Sequence, residues 1–77
     1  MFVLFGPGIF CVATLEQLPK TGDELNFGEG IIREGVYRVV HEGTKKLKGS
    51  DYPYFTRRRV ADLVPGAKTI PVAVLNC

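Results

Sequence analysis

The chain has no tryptophan, one methionine, one histidine (His41) and one serine (Ser50) among its 77 residues. Those scarcities exclude several kinds of chemistry. With Ser50 alone, in a polar stretch, no Ser-His-Asp arrangement has a workable geometry. One histidine and two distant cysteines, Cys11 and Cys77, lack the paired spacing of a zinc site. His41 and Glu42 are neighbours on an expected strand, so their side chains diverge; the same holds for Asp23 and Glu24. Neither Gly6-Pro7-Gly8 nor Gly28-Glu29-Gly30 leads into a helix, as a phosphate-cradling loop requires. The sequence therefore reads as a non-enzymatic chain without a cofactor or a metal.

A long hydrophobic run is also missing. The stretch from Phe2 to Leu15 falls short of the roughly 20 residues of a membrane helix, and Gly6-Pro7-Gly8 divides it. It has no basic leader residues, so it does not read as a secretory signal. With too few cysteines for a disulfide scaffold, the expectation is a cytoplasmic protein with reduced thiols. Cys11 reads as a small core hydrophobe and Cys77 as a frayed terminal residue.

What is present is a single small domain, residues 1–77, with 45% apolar and 23% charged side chains. A chain this short cannot cover so much apolar surface, and self-association is the expected consequence. Phe2-Val3-Leu4-Phe5 and Ile9 to Leu15 flank a Gly-Pro-Gly reversal and predict a β-hairpin. Ile9, Cys11, Ala13 and Leu15 alternate with Phe10 and Val12. The hairpin is thus apolar on both faces, which requires cover from the fold or from another chain. Phe2, Phe5, Phe10 and Val12 are the candidate self-association residues, with a homodimer as the simplest product.

Leu25 and Phe27 alternate with Glu24 and Asn26, as on a half-buried strand. Val36 to Glu42 is the clearest strand: Tyr37, Val39 and His41 share one face, and Val36, Arg38, Val40 and Glu42 the other. His41 is expected to be partly buried. Residues 43–51 read as a long mobile loop. Thr56 is placed to cap a short helical turn whose inner face is Val60, Leu63 and Val64, stopped by Pro65, with a strand through the same residues as the alternative. Ile70 to Leu75 is the last strand. Leu25, Phe27, Val39, Val12 and Val72 are the expected common core.

Five or six short strands with no βαβ rhythm predict an all-β barrel. Leu18-Pro19-x-x-Gly22-Asp23-x-Leu25 followed by Tyr37-Arg38-Val39-Val40 resembles a loose group of small, uncharacterised bacterial proteins with SH3-like β-barrels. The resemblance covers about half the chain. It implies five to six strands with one short helical turn before the last, and it transfers no functional residue. Pro71-Val72-Ala73 is similar to the last strand of the plasmid-borne type II dihydrofolate reductases. Their preceding Val-Gln-Ile-Tyr segment is replaced here by Ala67-Lys68-Thr69-Ile70, so the glutamine that gives that family its pore hydrogen bonds has no counterpart.

Charge is unevenly distributed. Up to Gly43 acidic residues outnumber basic ones, whereas Lys45, Lys46, Lys48, Arg57, Arg58, Arg59 and Lys68 crowd the remainder against Asp51 and Asp62. Basic residues bracket Tyr52, Tyr54 and Phe55, a composition suited to RNA or single-stranded nucleic acid, where cations meet phosphates and rings stack on bases. Lys45, Lys46, Tyr52, Tyr54, Arg57 and Arg58 are the candidate partner-binding residues, for an acidic protein or for nucleic acid. On a helix, Arg58 and Asp62 would pair at i,i+4. The leading expectation is a protein-binding, self-associating module with no membrane role, and nucleic-acid binding through residues 45–59 is the alternative.

Overall fold

β-Branched and aromatic residues suit a pleated, half-buried surface. Among the described residues they form six strands: β1 (Phe2–Gly6), β2 (Cys11–Thr14), β3 (Glu24–Glu29), β4 (Ile32–Leu47), β5 (Ser50–Ala61) and β6 (Val72–Val74). The computed structural model describes residues 1–75 and, for Glu29, the backbone alone; Cys77 lies outside them. Among the described residues there is no helix, and so none long and apolar enough to cross a membrane. The chain is all-β. Its strands make one sheet in the order β3-β4-β5-β1-β2-β6, curled into a half-barrel.

The two ends of the sheet approach each other. Ile70 N–H donates to the Asn26 carbonyl at 2.8 Å, and the Asn26 side-chain amide reaches the Lys68 carbonyl at 3.4 Å. The centre is set by β1, which pairs antiparallel with β2 and parallel with β5, placing Phe5 beside Phe55 and Leu4 beside Tyr54. The core contains Val3, Phe5, Cys11, Ala13, Phe27, Ile32, Tyr37, Val39 and Phe55, with Leu15, Leu25, Ile70, Val72 and Val74 packed against it. The Phe5 ring lies edge-on to Phe27 at 4.9 Å and beside Phe55 at 5.8 Å. Tyr37 closes one side, its hydroxyl donating to the Arg33 carbonyl at 2.6 Å.

Several expectations are corrected. The helical turn over 56–64 is absent: β5 continues to Ala61, because β4 supplies a ladder partner through Ala61 and β1 takes the other edge at Tyr54–Thr56. Sheet pairing satisfies backbone groups that an isolated turn would satisfy locally, and the local preference loses. The expected loop at 43–51 is also strand, except at its turn. β4 runs to Leu47, and Lys48 and Gly49, both at positive φ (50° and 84°), make the tight reversal to Ser50. Positive φ at both central positions matches the twist of the flanking strands.

Gly43, at φ 97°, is a bulge rather than a loop start. Glu42 and Gly43 lie between the pairs His41–Phe55 and Thr44–Pro53, two residues against Tyr54 alone. Such an extra residue bends and twists a strand.

Two placements are corrected. Phe5, expected in self-association, is fully buried at the centre of the core, whereas Val12, expected both in the core and in self-association, points out of the core. Strand alternation gives the reason: Val3 and Phe5 fill one face of β1, Cys11 and Ala13 the matching face of β2, leaving Val12 on the other. Nor does the hairpin offer a free strand edge, since β1 is paired on both sides and β2 also pairs with β6. Truncating Phe5 to alanine should therefore cost about 3–5 kcal/mol in urea unfolding, far more than Val12→Ala. Equal losses at the two positions would mean that the faces of β1 and β2 are wrongly assigned.

Candidate interaction surface

The distal half of the β4–β5 ribbon does not extend freely into solvent. Its outer residues Lys45, Leu47, Tyr52 and Tyr54 turn over the outer side of β1 and β2. Leu4, on that outer side, is accordingly only 2% exposed although it lies outside the main core cluster. A groove of about 160 Å³ remains, lined by Phe2, Leu4, Val12, Leu47 and Tyr52. Beside it a recess of about 60 Å³ is lined by Leu4, Phe10, Lys45, Lys46, Leu47 and Leu75. Phe2 is 54% exposed, so one wall of the groove is an aromatic ring open to solvent.

The rings are ordered in pairs. Phe2 meets Tyr52 edge-on at 6.4 Å, and Phe10 lies tilted against Tyr54 at 6.0 Å. The Lys45 ammonium sits 5.0 Å from the Phe10 centroid and 5.3 Å from that of Tyr54, where ring quadrupoles attract a cation. The structure thus unites two groups that the sequence separates. Phe2, Phe10 and Val12 from the N-terminal hairpin share one surface with Lys45, Tyr52 and Tyr54, whereas Lys46 alternates to the other face of β4, opposite Asp51. Leu4 and Leu47 complete the surface, and sequence reasoning missed both. The two-residue Lys48-Gly49 reversal between strand-forming stretches was the available signal for Leu47.

Arg57 and Arg58 do not join this surface. Arg57 donates from Nη2 to the Ile9 carbonyl at 2.9 Å, its Nη1 is buried without a protein partner, and its charge acts on the Cys11 thiol. Arg58 is exposed opposite Arg38, farther along β5. The expected Arg58–Asp62 pair is replaced by Arg59–Asp62, because in a strand the helical i,i+4 proximity does not exist. Arg59 holds the exposed Asp62 carboxyl below its ordinary range. His41, expected to be partly buried, is exposed; its ring stacks on Phe55 at 4.7 Å over the rim of the core.

Comparison of the chain with protein-family models, curated proteins and solved structures finds no match. The surface has to be read from its own residues.

The loop that follows β2 carries both Glu16 and Lys20, each exposed. Phe2 pairs with Thr14, and Met1 and Leu15 exchange two 2.8 Å hydrogen bonds through the Met1 ammonium and the Leu15 amide. The chain then runs through Glu16, Gln17 and Leu18, with Leu18 41% exposed, before β3 begins. Leu15 to Pro19 line an open cleft with Asp23 and Leu25. Asp23 is engaged structurally, accepting from the Lys20 amide at 2.9 Å, whereas Glu16 is exposed.

Behind the hairpin, burial pushes the Cys11 thiol above its ordinary value of 9.0, and the nearby Arg57 only partly offsets this. The folded state therefore holds the thiol proton more tightly than the unfolded chain does. Its contribution to stability is complete below pH 9.0 and is lost as pH rises above that value. In a Cys77→Ser background, unfolding free energy should fall more steeply above this pH than in the same chain with Cys11→Ala. Parallel pH profiles would show that the thiol is not desolvated.

Proposed function

We propose that this chain is a non-enzymatic binding and assembly module on a small SH3-like barrel, acting in the cytoplasm through protein–protein contacts, above all with itself. The antiparallel run β3-β4-β5, with its coiled distal hairpin and a sheet whose ends approach through Ile70 and Asn26, supports the SH3-like reading and the kinship with small bacterial barrels of that kind. One observation carries the functional reading. Phe2 is more than half exposed on a face shared with Val12, Leu47 and Tyr52, around an apolar groove. Contiguous apolar surface of this kind on a small domain marks a contact site. Aromatic side chains are enriched at the centres of such sites.

Sedimentation equilibrium should give a species of twice the 8.5 kDa chain mass, and Phe2→Glu should return it to the monomer with an unchanged circular dichroism spectrum. A wild-type monomer at high concentration overturns the reading.

A second reading, single-stranded nucleic acid or RNA, is favoured by Lys45 and Tyr52 standing opposite each other on one face of the β4–β5 ribbon, with Lys46 on the other face. It now lacks Arg57, whose guanidinium is engaged by Ile9, and the free face of Tyr54, which Phe10 and Lys45 occupy. With Lys48, three phosphate contacts would remain, and the log–log salt slope on single strands would be about −2. Binding without salt dependence would exclude this reading.

A further inference from the structure

Beyond the bulge at Gly43, the β4–β5 ribbon is held to the body by side chains. The ladder between β1 and β5 begins at Leu4–Tyr54, and among the described residues no hydrogen bond joins residues 44–52 to β1 or β2. The contacts are Tyr52 against Phe2, the Lys45 ammonium over the rings of Phe10 and Tyr54, and Leu47 with Leu4. Packing beneath the ribbon is incomplete, since the groove of about 160 Å³ and the recess of about 60 Å³ both lie between it and the hairpin of β1 and β2.

The base of the ribbon is a joint. Gly43 sits at φ 97° with nothing within 4 Å of the place a Cβ would take, and Glu42 and Gly43 together oppose Tyr54. On the facing strand, Pro53 has no N–H with which to tie the joint to either neighbour. Beyond the joint, Thr44 to Leu47 pair without interruption with Ser50 to Pro53. A ribbon that is continuous in itself, jointed at its base and clasped by a few side chains opens at a lower cost than the whole fold unfolds.

We infer that the distal hairpin, residues 44–52, is a flap that swings about Gly43 and Pro53, with Lys45 as its latch. Phe10 and Tyr54, the rings that hold the Lys45 ammonium, stay with the body when the ribbon lifts, because Phe10 precedes β2 and Tyr54 is paired with Leu4. Lifting uncovers Leu4 and Phe10, so that Phe2, Leu4, Phe10 and Val12 become one apolar strip. The groove is then the closed form of a larger surface. This goes beyond the self-association reading and does not rest on it.

The experiment is maleimide labelling of folded full-length chains that all carry Cys77→Ser. One keeps Cys11, buried on the core face; the other has Leu4→Cys with Cys11→Ala, placing its thiol under the flap. Leu4→Cys should label about tenfold or more faster than Cys11, at a rate that low urea leaves unchanged, because the swing exposes little surface. Adding Lys45→Ala, a change at an exposed position, should speed Leu4→Cys several-fold further. Cys11 should label only through global unfolding, at a rate that climbs with urea. If Leu4→Cys labels as slowly as Cys11 and with the same urea dependence, hairpin and barrel open as one unit and the flap is wrong. Fast labelling that Lys45→Ala leaves unchanged overturns it too. Methyl relaxation dispersion checks the unsubstituted chain: Leu4, Val12 and Leu47 should share one exchange rate in the μs–ms range that Val3 and Val39 lack. Exchange common to all these methyls, or absent from all, counts against the flap. The oligomeric state is measured apart from these and decides the self-association reading alone.

Discussion

Strand β1 is covered on both faces and paired along both edges, and the rest of the molecule is arranged around it. Val3 and Phe5 require a core on one side, which Phe27, Phe55 and Val39 provide. Leu4 requires cover on the other, and the distal β4–β5 hairpin provides it, with Phe10 and Leu47 in the same recess. A strand buried in this way cannot lie at the margin of a sheet. The hairpin of β1 and β2 is accordingly inserted at the middle of the sheet order, joined to the β3-β4-β5 meander by the parallel pairing of β1 with β5.

That arrangement produces the surface. Because β4 and β5 are much longer than the strands they pair with, their distal ends overhang the barrel, and the bulge at Gly43 adds the twist that turns the overhang across β1. The hairpin covers Leu4 but stops short of Phe2 and Val12. The result is an apolar groove with Lys45 beside it in the adjoining recess. Binding and stability are therefore linked here: Leu47, Tyr52 and Lys45 hold the second layer together and also form the walls of the exposed site.

The arginine run shows how secondary structure redistributes chemistry. On a helix, Arg57, Arg58 and Arg59 would fan around one cylinder. On β5 they divide between the two faces. Arg57 reaches the Ile9 carbonyl beside the core, Arg58 stands exposed opposite Arg38, and Arg59 reaches the Glu34 carbonyl and Asp62. The cluster thus contributes mostly to holding strands and loops in place. The distal hairpin keeps Lys45, Lys46 and Lys48, with Asp51 opposite Lys46.

Alternation alone determined much of the fold. The inward positions Leu25, Phe27, Tyr37 and Val39, the opposite placement of Arg38 and Val40, and the reversal between β1 and β2 were legible because a period of two needs no knowledge of neighbours. The doubly apolar N-terminal hairpin was legible too, but its meaning was not. Whether Phe5 or Val12 faced the core, and whether residues 43–64 were loop and helix or one continuous ribbon, depended on long-range partners. Spacing at Val60, Leu63 and Val64 fits a helix as well as the end of a strand, and only the ladders to β4 and β1 decide between them. The site has the same origin. Phe2 and Tyr52 are fifty positions apart and become neighbours solely because β1 and β5 run in parallel, a non-local pairing that no local pattern encodes.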